Sequence, residues 1–179
     1  MYFYAHAGLG WILAEAGRGD SRFRRAVFLA AIAPDLDALP SVLGWSITLN
    51  HHHVWTHNLL FSLVVSALAM WYCPGQRLRA LVFTQIAFYS HFFGDYFFTT
   101  WPLSYLFPFS RCEFISDSAF HLWHPVNQWL GLGFTLGALV LCVVFRRTPL
   151  EVLSPRADTA WIKVVTKLFR ARGVRRMNP

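Results

Sequence analysis

Histidine and aspartate recur in four short stretches within an otherwise apolar part of the chain. The stretches are His6, "PDLD" at residues 34–37, "HHHVWTH" at 51–57 and "HFFGD" at 91–95. Imidazole and carboxylate groups together suit zinc, manganese or iron better than a soft-ligand copper site. The three cysteines form no CxxC pair, so a cysteine-rich structural zinc site is not expected.

The spacing of these residues favours shared coordination of a metal ion. His91 and Asp95 are four residues apart, which on a helix places both on one face, roughly 6 Å apart along the axis. This set of ligands exceeds the needs of one ion, so the sequence is compatible with two ions bridged by a carboxylate as well as with a single zinc that keeps an open position. The candidate ligands are His6, Asp35, Asp37, His52, His57, His91 and Asp95, with His53, His121 and His124 as additional candidates.

The composition is that of a membrane protein. Hydrophobic residues make up 55% of the 179 residues and charged residues 14%, whereas soluble domains carry about 25% charged residues. A net charge of +7 would suggest nucleic acid as the partner of a soluble protein, but no nucleic acid is expected here because the basic residues follow a membrane topology. The N-terminal apolar run has no basic region ahead of it, so we expect it to be retained.

Five apolar segments predict an all-α, polytopic membrane helix bundle with about five membrane-embedded helices. The segments at 58–73 and 128–145 are free of charged residues, whereas those at 1–17, 25–40 and 78–98 contain polar interruptions. At about 1.5 Å per residue, the 18 residues of 128–145 cover close to the thickness of the hydrocarbon layer. The predicted domains are a membrane-embedded helical domain with the metal site at 1–147 and a basic cytoplasmic tail at 148–179.

The basic residues predict the orientation of the bundle. Of the 16 Lys and Arg residues, 15 lie in three regions, at 18–25, 77–79 and 146–176, which a five-helix path places on one side. The positive-inside rule makes that side cytoplasmic. The N-terminus and the metal site then lie outside the cytoplasmic membrane, and the C-terminus lies in the cytoplasm. The histidines and the three carboxylates within apolar segments converge on the outer face, which argues for one shared site.

The order of these motifs resembles the YdjM-like family of predicted membrane-bound metal-dependent hydrolases. The resemblance rests on His6, "PDLD", "HHVWTHNLL" and "HFFGD", and it covers about residues 6–110. It implies that His52 and His57 are the two histidines of the third motif. The sequence departs from the family pattern at His53, where the family has an arginine, so the choice among residues 51, 52 and 53 stays open. We favour His57 first and His52 second, with the other two as neighbours of the ligands or exposed to solvent.

The leading functional hypothesis is a metal-dependent hydrolase that acts at the outer face on a lipid-linked ester or phosphoester. A metal-activated water would be the nucleophile, and Asp37 is the candidate general base. A non-catalytic metal-binding or transport membrane protein would use the same ligands. Its ion path would need polar groups across the membrane, and the sequence offers few of them.

The tail is predicted to bind the membrane surface. Residues 159–176 form a basic amphipathic helix, in which Lys163, Lys167 and Arg170 take the polar face. This pattern suits the anionic head groups of membrane lipids. A protein partner bound through the tail is the alternative, and it would make the chain a membrane scaffold. His121 and His124, in "FHLWHPVNQW", also fit an aromatic-rich segment at the membrane interface rather than a ligand set.

Overall fold

The described part of the chain is built from helices. The computed structural model describes residues 1–39 and 53–171, and within these ranges it contains six α-helices and no strand beyond a single bridge between Leu103 and Phe114, so the predicted all-α class is confirmed there. Short 3-10 turns follow three of the helices, at Ala33–Ala38, Pro74–Gln76 and Pro149–Val152. The α-helices are α1 (Phe3–Ala16), α2 (Ser21–Ile32), α3 (Leu59–Tyr72), α4 (Arg77–Phe98), α5 (Pro125–Phe145) and α6 (Pro155–Ala171).

Helices α1, α2 and α4 form the centre of the bundle. Helix α1 packs against α2 and α5, and α4 packs against α2 and α3. Trp11, Phe23 and Val27 fill the interior and are fully buried. Alanines such as Ala30 on α2 and Ala87 on α4 complete this core, and their small side chains allow the helices to approach closely.

Two glycines permit the close contact between α1 and α5. A Cβ atom at Gly8 would lie 2.8 Å from the backbone carbonyl carbon of Phe134. A Cβ atom at Gly131 would lie 2.3 Å from the ring of Tyr4. Small residues at such contacts are typical of helices that pack together within membranes.

Fewer helices are long and apolar enough to span a membrane than the five that the sequence predicts. Within the described ranges, α5 is long and apolar enough to cross a membrane, and α3 passes the same test only together with the Pro74–Phe98 helix, from which it is bent by 109°. Helices α1 and α2 hold 14 and 12 residues, which at about 1.5 Å per residue falls short of a hydrocarbon layer of about 30 Å. Pro34 lies in the 3-10 turn that interrupts the apolar segment at 25–40, and Pro74 begins the 3-10 turn between the segments at 58–73 and 78–98. The predicted count of about five therefore stays a prediction.

Contacts between helix ends gather the described parts of the three basic regions, up to residue 171, at one end of the bundle, which we call the basic end. Arg79, at the start of α4, donates a hydrogen bond to the carbonyl of Gly17, which follows α1. Arg24 of α2 donates two hydrogen bonds to Glu151, of 3.0 and 2.8 Å, and both side chains are buried. Glu151 belongs to the predicted tail, so the start of the tail packs against the bundle. The domain boundary at residue 147 and the side of the membrane that the basic end faces stay predictions.

Candidate metal centre

Four parts of the chain meet at the end of the bundle opposite the basic end. Helix α1 contributes His6, the 3-10 turn after α2 contributes Asp35, and α4 contributes two residues one helical turn apart. The segment ahead of α3 contributes two histidines, and Asn58 fixes where that segment ends by capping α3 through the backbone N–H of Phe61. We call this set the histidine–aspartate cluster; its members are His6, Asp35, His53, His57, His91 and Asp95.

Asp95 lies at the centre of the histidine–aspartate cluster, and its two oxygens contact different histidines. The Oδ1 atom lies 3.2 Å from His6 Nε2. The Oδ2 atom lies 3.0 Å from His91 Nε2, 3.4 Å from His57 Nε2 and 3.7 Å from His53 Nε2. These five side chains are between 0 and 3% exposed, so the contacts are made away from water.

Hydrogen bonds on the outer side of two imidazoles determine which ring nitrogen faces the centre. The Nδ1 atom of His57 lies 3.1 Å from Asp37 Oδ2, and the Nδ1 atom of His91 lies 2.7 Å from the carbonyl oxygen of Ala31. Because both partners are acceptors, each Nδ1 must carry the proton that it donates. In the neutral rings the Nε2 lone pairs then point towards Asp95. Histidines that bind metals are oriented in this way, by an acceptor that holds the other ring nitrogen.

The centre of the histidine–aspartate cluster contains acceptor atoms that face one another. Among the described residues, His91 Nε2, Asp95 Oδ2 and Asp35 Oδ2 are buried and make no hydrogen bond of normal geometry. Buried polar atoms without partners are costly, and a cation shared between them removes that cost. The donor set therefore fits a divalent metal ion. Three overlapping groups have ligand atoms within 4.8 Å of one another, namely His6, His91 and Asp95; Asp35, His57 and His91; and His53, His57 and Asp95.

The electrostatic environment in the loops around the histidine–aspartate cluster attracts positive charge. Burial by itself lowers the pKa of an imidazole, but hydrogen bonds with the carboxylates of Asp37 and Asp95 raise the pKa of His57 above its ordinary value. Burial raises the pKa of a carboxyl group, yet the adjacent imidazole of His91 brings the pKa of Asp35 below its ordinary value. The ionised form of Asp35 and the charged form of His57 are thus both favoured over the neutral forms.

The structure brings together most of the residues singled out in the sequence, with differences at three places. His52 lies outside the described residues, while His53, which the sequence favoured less, is 1% exposed and belongs to the cluster. Asp37 is in none of the three ligand groups and instead contacts the outer side of His57, so its predicted roles as ligand and general base stay predictions. His121 is exposed and His124 caps α5 through the backbone N–H of Val126, and neither is in a ligand group.

Two backbone groups contact the histidine–aspartate cluster without any signal in the sequence. The carbonyl of Ala31 orients His91, and the amino group of Met1 lies 2.5 Å from Asp95 Oδ1. Backbone atoms are the same for every residue type, so motif analysis could not have identified either contact. The sequence named His53 only as an additional candidate, because a loop has no periodicity that distinguishes one of three adjacent histidines from its neighbours.

Comparison with known proteins identifies the family. The model of the family described as YdjM inner membrane protein matches residues 1–153, which include every member of the histidine–aspartate cluster. No curated protein and no solved structure matches the chain. The match covers most of the 179 residues and extends beyond the motifs that carry the resemblance in the sequence. The chain therefore belongs to the YdjM inner membrane protein family.

Proposed function

We propose that this protein is a metal-dependent hydrolase of the cytoplasmic membrane that cleaves a lipid-linked ester or phosphoester at the outer face. The observation that carries the proposal is the convergence of four imidazole Nε2 atoms on the two oxygens of Asp95. A set of histidines around one carboxylate suits zinc, with manganese and iron as alternatives. Six donors in three overlapping groups would also suffice for two ions that share ligands.

The residues would divide the work between holding the ion and orienting its ligands. His6, His91 and Asp95 would hold one ion, and His53, His57 and Asp95 would form a second, overlapping position. When bound, a divalent ion supplies a Lewis acid and lowers the pKa of a coordinated water. The carbonyl and carboxylate acceptors on the outer side of the rings keep the ligand nitrogens aimed inward.

Asp35 is better placed than Asp37 to accept a proton from the attacking water. The side chain of Asp35 is 17% exposed, compared with 0 to 3% for the other partners in the cluster contacts, so it is the member nearest to an incoming substrate. Its Oδ2 atom makes no hydrogen bond within the described part of the chain. Asp37 Oδ2 instead accepts hydrogen bonds from the His57 ring and from the backbone N–H of His53. We therefore assign proton transfer to Asp35 and positioning of His57 to Asp37.

The location at the outer face is part of the proposal and is supported by the distribution of charge. The histidine–aspartate cluster and the basic end lie at opposite ends of α4, and the positive-inside rule assigns the basic end to the cytoplasm. We propose a multi-pass topology with the N-terminus outside and the C-terminus in the cytoplasm. On this topology α6 lies at the inner leaflet, where the exposed Lys163 and Lys167 and, further along the helix, Arg170 would meet anionic lipids.

A non-catalytic metal-binding role is the second candidate, and the burial of the site favours it. Structural metal sites are closed, whereas catalytic sites keep an open position. Among the described ligands, Asp35 is the one whose side chain is partly exposed to solvent. Ion transport has less support, because the core between the cluster and the basic end contains Trp11, Phe23 and Val27 rather than ionisable groups.

Metal content and hydrolysis together test the proposal. Purified protein is analysed for transition metals, and it is expected to hold about one or two ions per chain. The double variant His57→Ala, Asp95→Ala is expected to lose them, whereas His121→Ala, which changes an exposed histidine, serves as the control. Release of product from lipid esters and phosphoesters should require the metal and return when zinc is restored after chelation. A protein that binds metal but hydrolyses none of these substrates would support the non-catalytic role, and metal retained by the double variant would contradict both.

A further inference from the structure

An apolar groove runs along the outside of the bundle between α2 and α3. Its volume is about 560 Å³, which is within the range of small-molecule binding sites. Of the 15 residues that line it, 13 have apolar side chains, and the two exceptions are Asp35 and Tyr72. We call it the α2–α3 groove.

The two polar residues mark the ends of the α2–α3 groove. Asp35 lies in the turn after α2, where its Oδ1 atom is 3.6 Å from His91 Nε2, so this end of the groove reaches the histidine–aspartate cluster. Tyr72 ends α3 and accepts a hydrogen bond of 3.5 Å from Arg25 near the basic end. From Phe61 to Tyr72 the groove follows 12 residues of helix, whose 11 steps cover about 16 Å at 1.5 Å each. The groove is therefore long and polar only at its ends.

The charge and exposure of the groove identify the kind of molecule that fits it. No Lys or Arg lines it, so its walls offer nothing to an anion and suit a neutral hydrocarbon chain. Leu29, Val64 and Leu68 are 45 to 58% exposed, so the groove opens sideways. In an inner membrane protein such an apolar surface is continuous with the face that meets lipid. The Asp35 end adjoins the histidine–aspartate cluster, and this is where the polar part of a lipid would be bound.

We propose that the α2–α3 groove binds one fatty-acyl chain of a membrane lipid and delivers the adjoining ester or phosphoester to the histidine–aspartate cluster at Asp35. The inference rests on the proposed hydrolase function and adds to it the site that binds the acyl chain and the path by which the substrate enters. A fatty-acyl chain bound along α3 stays within the hydrocarbon layer, and only the polar end of the lipid lies outside that layer. The scissile bond then reaches the cluster without the rest of the lipid leaving the bilayer.

Photolabelling tests the groove without relying on activity. Purified protein in detergent is mixed with phosphatidylglycerol that carries a diazirine in one acyl chain, irradiated, digested and analysed by mass spectrometry. Labels are expected on the two peptides that line the groove, at 26–39 and 61–72. Val64→Trp places an indole in the groove and is expected to reduce this labelling about tenfold, the change that follows from losing roughly two buried methylene contacts.

The matched control is Leu63→Trp, on the same helix and 52% exposed, but outside the groove. It should label like the unmodified protein. Leu68→Trp, at a groove position that is 58% exposed, is the second groove-filling variant in case Val64→Trp does not fold. Labels spread evenly over the outer helix surfaces, or equal labelling of the groove-filling and control variants, would overturn the assignment.

Metal analysis of the same samples separates this inference from the proposed function. Val64→Trp and Leu63→Trp should both keep the metal content of the unmodified protein, because neither residue is in the histidine–aspartate cluster. Groove labelling in a protein that binds no metal would support the chain-binding site and remove the proposed chemistry. Metal binding with uniform labelling would overturn the groove alone.

Discussion

Asp37 Oδ2 lies 3.1 Å from His57 Nδ1, while the other nitrogen of the same ring lies 3.4 Å from Asp95 Oδ2. His57 thus bridges two carboxylates and can use only its Nε2 atom as a ligand. Removing the orienting carboxylate of a metal-binding histidine weakens metal affinity by about 10- to 100-fold. We expect this loss for Asp37→Ala and a smaller one for Asp37→Asn, whose amide oxygen still accepts the ring proton. Zinc titration of metal-free protein by calorimetry measures both.

The control for this substitution is Asp117→Ala, which removes an exposed carboxylate in the loop ahead of α5. It should leave the affinity unchanged. Equal affinities for Asp37→Ala and Asp117→Ala would contradict the orienting role. If Asp37 is itself a ligand, as the sequence predicts, Asp37→Asn should lose as much affinity as Asp37→Ala.

Metal binding should stabilise the fold through Asp95. A ligand at 100 times its dissociation constant stabilises the folded state by about 2.7 kcal/mol, provided that it does not bind the unfolded chain. Zinc should therefore raise the Tm of the unmodified protein in detergent, and a chelator should reverse the rise. Asp95→Ala removes the carboxylate shared by four histidines and should abolish the rise, whereas Glu113→Ala, at an exposed position, should keep it. A zinc-dependent Tm in Asp95→Ala would place the metal elsewhere.

Loss of one partner of the buried ion pair at the basic end should destabilise the fold strongly. Arg24 and Glu151 are 7% and 4% exposed and form a bidentate pair. Removing one partner of such a pair leaves an uncompensated buried charge and typically costs about 3–5 kcal/mol. We expect Arg24→Leu to lower the Tm strongly and the double variant Arg24→Leu, Glu151→Leu to recover much of the loss. Arg22→Leu, at an exposed position in the first turn of the same helix, is the control. An equal loss of Tm in this variant would contradict the prediction.

The contact between α1 and α5 should not tolerate a side chain at Gly8. Its Cβ atom would lie 2.8 Å from backbone atoms of Phe134, which cannot move aside as a flexible side chain could. Overpacking of this kind costs about 1–3 kcal/mol. Gly8→Ala should therefore lower the Tm. Gly133→Ala, on the same pair of helices but with nothing within 4 Å of the added atom, should leave the Tm unchanged or raise it.

Thiol labelling should report the orientation of the bundle. Cys112 is exposed in the loop after α4 and is expected to react with a membrane-impermeant maleimide from outside the cell. Cys73 is 3% exposed, and burial, together with the nearby carboxylate of Asp20, raises the pKa of its thiol, so it should react slowly and faster at higher pH. Absence of labelling at Cys73 therefore does not show on which side of the membrane it lies.

A better reporter for the basic end is Gly75→Cys, because a side chain added there meets nothing within 4 Å. The introduced thiol should not react with the impermeant maleimide added to intact cells, and it should react in inverted vesicles. Reaction of Cys112 only in inverted vesicles would reverse the proposed orientation. Reaction of both positions from the same side would contradict the placement of the histidine–aspartate cluster and the basic end on opposite faces.

Much of the candidate site could be predicted because helical spacing is regular. The four-residue separation of His91 and Asp95 places both on one face of α4, and in the structure His91 Nε2 lies 3.0 Å from Asp95 Oδ2. The sequence also predicted that His6 and Asp35 lie near this pair, because the five-helix topology places all four residues on the outer face of the membrane. The family assignment rested on the order of the same motifs and is confirmed.

The remaining details depend on geometry that a linear pattern does not contain. A turn has no periodicity, so the sequence could not tell that Asp35 faces His91 while Asp37 faces the outer side of His57. Hydropathy likewise does not give the angle between helices. The sequence separated the apolar segments at 58–73 and 78–98, and the structure adds that the two helices lie at an angle of 109° where Pro74 ends the hydrogen bonding of α3.

Helix α2 connects the two ends of the molecule mechanically. Near its start Arg24 is attached to Glu151, and near its end the carbonyl of Ala31 is attached to His91. The two attachment points lie about 10 Å apart along a helix axis, which behaves as a stiff rod over that length. One rigid element therefore carries both the contact to residues 149–152 and the oxygen that orients the His91 ring.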